Sequence, residues 1–333
     1  MPFNQKNILV VGAGSIGQRH IRNLETLGVG TMAVCDINQD KLEKVKQTYQ
    51  VEVFDNLSSA LEEQRDAVFI CTPSSSHIEI ALRVAQKNIP LFIEKPLADN
   101  LEEAKYFYAQ LKEKDLPVMI GYNLSFHPQF KKIKQMLEQG AIGKVWGVRA
   151  EFGQYLPDWH PNSDYTKEYS AQKSLGGGVV LDDVHEINSL YELFGEVNQV
   201  FALANHVSDL KIDTEDYAEM IFWFENGIVG QIHMDYLQRD ASRWLKIIGE
   251  NGTIYWDLKK SELKTFSVAN NQWQVDTLDS FDFNQTYLLE IQHFFGSLDK
   301  GEKPQPNIDQ GKQTLKIALA VKESAQLSKI VKL

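Results

Sequence analysis

Through residues 1–121, apolar runs alternate with segments that have the periodicity of an amphipathic helix. The apolar runs are NILVVGAG, TMAVCD, AVFICTP, PLFIEKP and PVMIGY, and the helical segments between them are long enough to connect parallel strands. Right-handed βαβ crossovers place helices on both faces of a parallel sheet. This half of the chain is therefore predicted to be a doubly wound α/β domain.

The pattern changes after Tyr122. One helical segment, FHPQFKKIKQMLEQG, leads into long runs with period-two alternation, such as KVWGVRAEFGQY and DYAEMIFWFENGIVGQIHMDYLQ. Such runs, with turns at ENG and GENG, are typical of an antiparallel sheet with one covered face. Two helical segments follow, around TYLLEIQHFFGSLDKG and IDQGKQTLKIALAVKESAQLS. We predict an α+β domain built on a large, mainly antiparallel open sheet flanked by helices.

The length of 333 residues supports two domains, because single cores stop growing near about 250 residues. The expected boundaries are 1–121 for the dinucleotide-binding domain and 122–333 for the substrate-binding and oligomerisation domain. The alternative for the two terminal helices is that they pack back on the first domain.

The net charge of -11 argues against a nucleic-acid partner, which needs a basic face. No window approaches about 18 uninterrupted apolar residues, and the N-terminus has no secretory pattern, so we expect a cytoplasmic protein without a membrane span. The two cysteines, Cys35 and Cys71, end apolar runs and are expected to be core residues. No Cys/His spacing resembles a metal site, and no metal is expected.

Gly12, Gly14 and Gly17 form G-x-G-x-x-G between the first predicted strand and the first predicted helix. In a dinucleotide site the first glycine permits a tight turn, the second lets the backbone approach a pyrophosphate, and the third allows close helix packing. A tight strand-to-helix turn without a ligand is the alternative. The context favours a dinucleotide, since the free N–H groups of a helix N-terminus attract phosphate.

Asp36 ends the second predicted strand, nineteen residues after Gly17. An acidic side chain there is expected to accept hydrogen bonds from the ribose hydroxyls of the adenosine, which favours NAD over NADP. The alternative is a helix N-terminal charge ahead of INQDKLEK.

Glu94, Lys95 and Pro96 close the strand PLFIEKP at the edge where doubly wound folds bind ligands. Position alone leaves Lys95 either a solvated charge or a fixed cation beside the nicotinamide. However, NILVVGAGSIGQRH, CTPSSSH, EKP, GYNLSFHP and GGGVVLDDVHEIN follow one another in this order, and IIGENGTIYWD comes later. Together these motifs resemble the glucose-fructose oxidoreductase and inositol dehydrogenase family (Gfo/Idh/MocA) over nearly the whole chain.

The resemblance implies that Lys95 is catalytic and that His185 transfers the proton, with Asp182 beside it. General chemistry agrees, because oxidation of an alcohol needs a base for the hydroxyl proton while Lys95 stabilises the developing alkoxide. Asp182, three residues before His185, is expected on the same helix face, where it could orient the ring. Asp183 is the alternative for this supporting role, because many relatives have one more residue between the aspartate and the histidine.

The residues expected to bind NAD are those of the glycine motif, of the two strand-end motifs and the ribose-binding aspartate: Gly12, Gly14, Ser15, Ile16, Gly17, Asp36, Cys71, Thr72, Pro73, His77, Glu94 and Lys95. Two positions depart from the family pattern. Asn188 stands where an aspartate is common, and Ser125 stands where arginine is frequent. Both departures concern the substrate side more than the cofactor side.

Aromatic and polar residues precede the glycine run at 176–178, which is either a flexible turn or a close approach of backbone to substrate. Candidate substrate residues are Asn123, Trp159, His160, Tyr165 and Tyr169, the aromatics having a surface loop as their alternative. Arg239 and Arg243 follow a predicted strand. They hold a phosphate or carboxylate if they point inward, and are solvated charges if they point outward.

The sequence thus predicts an NAD-dependent oxidoreductase that acts on a sugar-like substrate. The segment before the glycine run resembles that of family members of bacterial surface-sugar biosynthesis, and this resemblance implies a nucleotide sugar or acidic sugar as one option. A non-catalytic dinucleotide-binding regulator and a lyase or hydrolase that recycles its cofactor are the alternatives. Association into a homodimer or homotetramer is expected through the free face of the C-terminal sheet.

Overall fold

The computed structural model describes residues 2–112, 114–159 and 163–333. The chain divides into two compact units. Unit 1 contains the residues up to Asn123 together with Phe283–Lys312, and unit 2 contains Leu124–Asp282 and Gln313–Leu333. The first unit is therefore not one continuous segment, because the helix around residue 290 belongs with the N-terminal part. The predicted bounds 1–121 and 122–333 place this helix in the second domain, and the alternative stated with them, a terminal helix packed on the first domain, matches this grouping.

Within the described part of unit 1, six strands form a parallel sheet in the order β3-β2-β1-β4-β5-β6. The strands are β1 Asn7–Val11, β2 Thr31–Cys35, β3 Glu52–Phe54, β4 Ala67–Ile70, β5 Leu91–Glu94 and β6 Val118–Gly121. The central strands β1, β4 and β5 are buried along almost their whole length, as continuous apolar runs in a parallel sheet require. The doubly wound α/β half is confirmed.

Helices connect these strands, and several begin at side chains that cap their free N–H groups. The helices of unit 1 are α1 Ser15–Thr26, α2 Gln39–Thr48, α3 Leu57–Ala60, α4 His77–Gln86, α5 Leu101–Leu111 and α9 Asn284–Lys300. Asn38 caps α2, and Asn100 caps α5 by accepting from the N–H groups of Glu102 and Glu103. In contrast, α1 begins at Gly14 without a side-chain cap, which leaves its first N–H groups available to a ligand.

The described part of unit 2 contains a nine-stranded sheet in the order β14-β13-β12-β11-β7-β10-β9-β8-β15. Its strands are β7 Val145–Gly153, β8 Val197–Asn205, β9 Tyr217–Phe224, β10 Val229–Asp235, β11 Ser242–Gly249, β12 Gly252–Asp257, β13 Glu262–Ser267, β14 Gln272–Thr277 and β15 Val331–Lys332. Neighbouring strands are antiparallel except β7 and β10, which are parallel. The prediction of a mainly antiparallel sheet is confirmed.

Helices cover one face of this sheet. They are α6 Pro128–Glu138, α7 Val179–Asp182 and α8 His185–Phe194, with α10 Ile308–Leu327 following α9. On the other face, large apolar side chains stay exposed on five strands: Leu203, Ile221, Val229, Ile248, Trp273 and Val275. Their cross-strand partners place them on one side of the sheet. That side is open in the single chain.

Sequence periodicity predicted the long strands and helices, but not β3, β13, β14 or the short helix α3. Both cysteines are buried and free, as the core interpretation expects. Among the described helices, none combines the length with the apolar character that a membrane crossing requires.

Candidate active-site residues in the two units

The glycine-rich loop lies between β1 and α1, and two of its glycines are required by packing inside the protein. Gly12 has φ +102°, and a Cβ there would lie 2.6 Å from the Cys71 carbonyl oxygen. A Cβ on Gly17 would lie 1.9 Å from the Gly12 carbonyl oxygen. These two positions therefore exclude any side chain, whether or not a ligand is present.

Gly14 is different, because a Cβ there would meet no atom within 4 Å and the residue has ordinary backbone angles, φ -70° and ψ -171°. Nothing within the protein requires glycine at this position. A ligand that passes close to the N-terminus of α1 would explain the glycine. The exposed Ser15 and the half-buried Ile16 follow Gly14 directly in the chain. The loop thus fits the pyrophosphate of a dinucleotide.

Asp36 lies one residue beyond β2, and both of its carboxylate oxygens accept backbone hydrogen bonds. The N–H of Ala13 donates to Oδ2 at 2.6 Å, and the N–H of Asn38 donates to Oδ1 at 2.8 Å. The side chain is half-buried. Asp36 therefore ties the end of β2 to the glycine-rich loop, and each oxygen keeps lone-pair capacity for a ribose hydroxyl.

The segment after β4 contains the next group of predicted cofactor residues. Cys71 is buried, where burial raises the pKa of its thiol well above the usual range, while Thr72 and Pro73 are half-buried. His77 is only 1% exposed, and its ring nitrogens lie 2.9 Å from the Pro96 carbonyl oxygen and 2.8 Å from the Thr72 carbonyl oxygen. Both nitrogens of its ring thus face protein backbone.

The EKP segment follows β5. Glu94 is buried, with Oε1 at 2.6 Å from Nε2 of His20 and Oε2 accepting from the Lys95 N–H at 3.1 Å. Lys95 itself is half-buried. The carboxyl group of Glu94 packs against Gly121 of β6, where a Cβ would lie 3.2 Å from it. The backbone N–H of the predicted catalytic lysine is thus held by a buried carboxylate.

In unit 2, Gly177 and Gly178 of the glycine run at 176–178 are required by internal packing. A Cβ on Gly177 would lie 2.2 Å from the Tyr169 carbonyl oxygen, and one on Gly178, with φ +106°, would lie 2.4 Å from Oε1 of Glu215. Glu215 in turn accepts from Lys322 through both oxygens at 2.9 Å. Packing alone therefore explains these glycines, without an approach of backbone to substrate.

Asp182 and His185 do not share one helix, so the predicted common helix face is wrong. The short helix α7 ends at Asp182, Asp183 has φ -99° and ψ 39°, and α8 begins at His185. Oδ2 of Asp182 accepts from the hydroxyls of Ser170 and Tyr236, the latter at 3.2 Å. Burial raises the pKa of Tyr236 well above its usual range, so this hydroxyl stays a donor to the carboxylate.

Asp183 and Glu186, on either side of the start of α8, share the guanidinium of Arg243. Arg243 donates from Nε to Glu186 Oε1 at 2.7 Å and from Nη2 to Glu186 Oε2 at 3.0 Å and Asp183 Oδ1 at 2.9 Å. Burial, with the neighbouring Asp183, raises the pKa of Glu186 to about 8 against the opposing effect of Arg243. Arg243 therefore points inward, but to carboxylates of the protein.

The remaining predicted substrate residues divide by their environment. Tyr169 donates its hydroxyl to the Gly176 carbonyl at 2.9 Å, Tyr165 accepts from the Lys211 N–H at 3.2 Å, and the Trp159 indole donates to the Gln154 carbonyl at 3.3 Å. Three further predicted residues complete the set: Asn123, Arg239 and His160. Asn123 is buried in unit 1, where it donates to Thr286 at 2.8 Å. Arg239 is exposed and its guanidinium lies 3.4 Å from the ring centre of Tyr155, whereas His160 lies outside the described residues.

Sequence reasoning missed several polar residues that support these positions. Ser170, Tyr236 and Glu186 surround the Asp182–His185 segment, and His20 and Glu290 lie beside Glu94. The final histidine of GSIGQRH was a signal for His20, because a histidine on the buried side of α1 needs a partner. Glu290 carried no comparable signal, since its helix is distant in sequence.

Comparison with known proteins agrees with these observations. A family model described as an oxidoreductase family with an NAD-binding Rossmann fold matches residues 6–122, and the model of the GFO/IDH/MocA C-terminal domain matches residues 130–255. A myo-inositol 2-dehydrogenase of Thermotoga maritima is 27% identical in an alignment 341 positions long, gaps included, that covers 97% of each chain.

Solved structures show the same fold. A levoglucosan dehydrogenase in complex with NADH matches with a TM-score of 0.89 at 22% identity over 98% of each chain. The WlbA dehydrogenase from Bordetella pertussis, in complex with NADH and UDP-GlcNAcA, matches with a TM-score of 0.83 at 22% identity over 98% of each chain. The predicted resemblance is thus confirmed: the chain belongs to the Gfo/Idh/MocA family of oxidoreductases, whose N-terminal domain is an NAD-binding Rossmann fold.

Proposed function

We propose that this protein is an NAD-dependent dehydrogenase that transfers a hydride between the cofactor and a hydroxyl carbon of an uncharged sugar or cyclic polyol. The observation that carries the proposal is the glycine-rich loop, in which Gly14 has open space at the uncapped N-terminus of α1. The family and the name of the inositol dehydrogenase relative support the substrate class.

In this proposal NAD, when bound, accepts the hydride, and the protein handles the proton. Lys95 holds the substrate oxygen with its ammonium and stabilises the negative charge that develops there. His185 takes the hydroxyl proton as general base, since a neutral imidazole suits that step near pH 7. Asp182, fixed by Ser170 and Tyr236, is the carboxylate assigned to the support of His185. Asp183 is instead engaged by Arg243.

The charges around His185 favour an uncharged substrate. Asp182, Asp183 and Glu186 all lie within three residues of it in sequence, and each is buried. The nearby Arg243 is already bonded to Asp183 and Glu186 through Nε and Nη2. Near pH 7 Glu186 is largely protonated, so the repulsion of a substrate carboxylate or phosphate would come from Asp182 and Asp183.

An acidic sugar or nucleotide sugar is the second candidate, and one residue favours it. Arg239 is exposed and stacked on Tyr155, so its N–H groups can meet an anionic group that extends away from the reacting carbon. The Arg239→Ala variant separates the two candidates. It should leave oxidation of a neutral polyol unchanged and should raise KM if the substrate is anionic.

The direct test is a screen of inositols, neutral sugars, sugar acids and nucleotide sugars for absorbance change at the nicotinamide band with NAD and with NADP. Lys95→Ala and His185→Ala should each abolish turnover while NADH still binds. Product formation without change in bulk cofactor would instead indicate a cofactor-recycling lyase or hydrolase. Absence of any reaction, with NADH bound, would support a regulator.

We further propose that copies of the chain associate through the open face of the unit 2 sheet. Its exposed side chains, including Ile221, Val229 and Trp273, form an apolar surface that a monomer leaves in water. Sedimentation of the wild type against an Ile221→Lys/Val229→Lys variant tests this. A dimer or tetramer that the variant retains would place the interface elsewhere.

A further inference from the structure

The peptide between Lys95 and Pro96 is held at both ends by buried side chains of unit 1. On the Lys95 side, the N–H donates to Oε2 of Glu94 at 3.1 Å, and the other oxygen of Glu94 lies 2.6 Å from Nε2 of His20. On the Pro96 side, the carbonyl oxygen lies 2.9 Å from Nδ1 of His77. Both contacts are backbone contacts, so they fix where the Lys95 side chain starts.

His77 also reaches a second loop. Its Nε2 lies 2.8 Å from the carbonyl oxygen of Thr72, in the segment after β4, while Nδ1 faces the segment after β5. His77 is the first residue of α4 and is 1% exposed. Its imidazole ring is therefore buried between the two strand-end segments. Each ring nitrogen thus faces a carbonyl oxygen of one of the two segments.

We propose that His77 is a positioning residue for Lys95, acting through the Pro96 carbonyl rather than by contact with NAD. The inference rests on the proposed function, in which the Lys95 ammonium meets the substrate oxygen. Lys95 and His77 are joined by one peptide and one hydrogen-bond contact, so loss of the bridge lets the lysine shift. A shift of about 1 Å in a catalytic group can reduce turnover by about a hundredfold.

The protonation of His77 is consistent with this role. Burial lowers the pKa of His77, although its contacts with the Thr72 and Pro96 carbonyls raise it. A neutral ring carries one N–H and donates to one of the two carbonyls. The proposal places that N–H on Nδ1, which donates to the Pro96 carbonyl and so acts on the lysine segment.

The neighbouring cluster of His20, Glu94 and Glu290 supports the other end of the same peptide. Within the described residues the oxygens of Glu290 have no hydrogen-bond partner, and burial with the nearby Glu94 raises the pKa of Glu290 well above its usual range. The neutral acid leaves Glu94 to serve the Lys95 amide. We do not assign a metal to this cluster, since 2.6 Å between His20 and Glu94 is a hydrogen-bond distance, shorter than two ligands of one ion keep.

Two amide variants test the proposal, because each retains one half of the bridge. In His77→Asn the amide nitrogen replaces Nδ1 and still donates to the Pro96 carbonyl, whereas in His77→Gln it replaces Nε2 and reaches the Thr72 carbonyl. We expect kcat to fall by about tenfold to a hundredfold in His77→Gln and His77→Ala, and to stay near wild type in His77→Asn. NADH affinity should be unchanged in His77→Gln, which keeps the contact with the Thr72 carbonyl.

His293→Ala is the matched control, because His293 is an exposed histidine of the same unit whose ring accepts from the Gln305 N–H. It should match the wild type in kcat and NADH affinity. If His77→Ala fails to fold, the comparison of the Asn and Gln variants still decides. Equal kcat in these two, or a loss of NADH affinity at constant kcat, would overturn the inference.

A second measurement does not need turnover. Competitive acetylation followed by peptide mass spectrometry gives the reactivity of Lys95 as a function of pH. The profile should change in His77→Gln and match the wild type in His77→Asn. If the wild type oxidises no polyol but these profiles differ as expected, the proposed function fails and the positioning role stands. Identical profiles would remove the positioning role even in an active enzyme.

Discussion

The carboxylate of Asp36 accepts a hydrogen bond from the backbone N–H of Ala13, with 2.6 Å between the two atoms. This bond connects the end of β2 to the glycine-rich loop. Asp36 therefore has two tasks in the proposed cofactor site: it holds the loop, and it offers its charge to the adenosine ribose. A single substitution to alanine removes both, so two variants are needed to separate them.

Asp36→Asn keeps one oxygen that can accept from the Ala13 N–H, but its amide nitrogen cannot accept from the Asn38 N–H, and the charge is lost. We expect it to bind NADH more tightly than Asp36→Ala does, while its discrimination against NADPH falls, because the carboxylate no longer repels the extra phosphate. Asp36→Ala should lose affinity for both cofactors. Fluorescence titrations with NADH and NADPH measure these affinities, and wild-type discrimination in the Asn variant would remove Asp36 from the ribose site.

Alanine substitutions at the three glycines of the loop should differ in their effects on stability. Gly12→Ala and Gly17→Ala place a Cβ against backbone at 2.6 Å and 1.9 Å, so each should lower the free energy of unfolding by at least about 2 kcal/mol. Gly14→Ala has open space and ordinary backbone angles, and should leave stability unchanged or raise it by about 0.4–1 kcal/mol.

The Gly14→Ala substitution should weaken NADH binding although it does not lower stability. A methyl group at this position stands where the pyrophosphate is expected to approach, so NADH affinity should fall by about tenfold, or about 1.4 kcal/mol. Urea unfolding and NADH titration of the Gly14→Ala variant measure the two quantities. Wild-type affinity in a stable Gly14→Ala protein would mean that the pyrophosphate does not pass this residue.

The sequence predicts well what depends on local patterns. Continuous apolar runs located β1, β2, β4, β5 and β6, and the glycine spacing located the loop. It predicts poorly what depends on distant partners: Arg243 meets Asp183 and Glu186 from a strand about 60 residues away, and no periodicity encodes such a pairing. The break between Asp182 and His185 was missed because both residues fit a helical pattern, and backbone angles at Asp183 end it.

Arg243 should be essential to the stability of unit 2. Its guanidinium is the partner of buried Asp183 and buried Glu186, and its removal leaves the Asp183 carboxylate uncompensated, so Arg243→Ala should lose about 3–5 kcal/mol. Arg239→Ala is the matched control, since this exposed arginine only stacks on Tyr155 and should cost under about 1 kcal/mol. Chemical unfolding measures both, and equal losses would show that Arg243 is not the principal partner of these carboxylates.

His127 should make the protein less stable as the pH falls. It caps α6 by accepting from the Gln129 N–H through Nδ1, and burial together with Arg243 lowers its pKa to about 4. In the unfolded chain a histidine has a pKa near about 6.5, so the unfolded state takes up the proton first as the pH falls from about 7. The lost stability accumulates down to about pH 4 and amounts to about 3 kcal/mol.

His127→Asn tests this assignment, because asparagine keeps an oxygen that can cap the helix but does not titrate. The variant loses the ring contacts with Trp256 and Phe281, which lowers stability at every pH. The informative quantity is therefore the slope of unfolding free energy between pH 7 and pH 4, measured by urea titration. That slope should be shallower than in the wild type, and an equal slope would mean that His127 takes up its proton in the folded state as readily as in the unfolded chain.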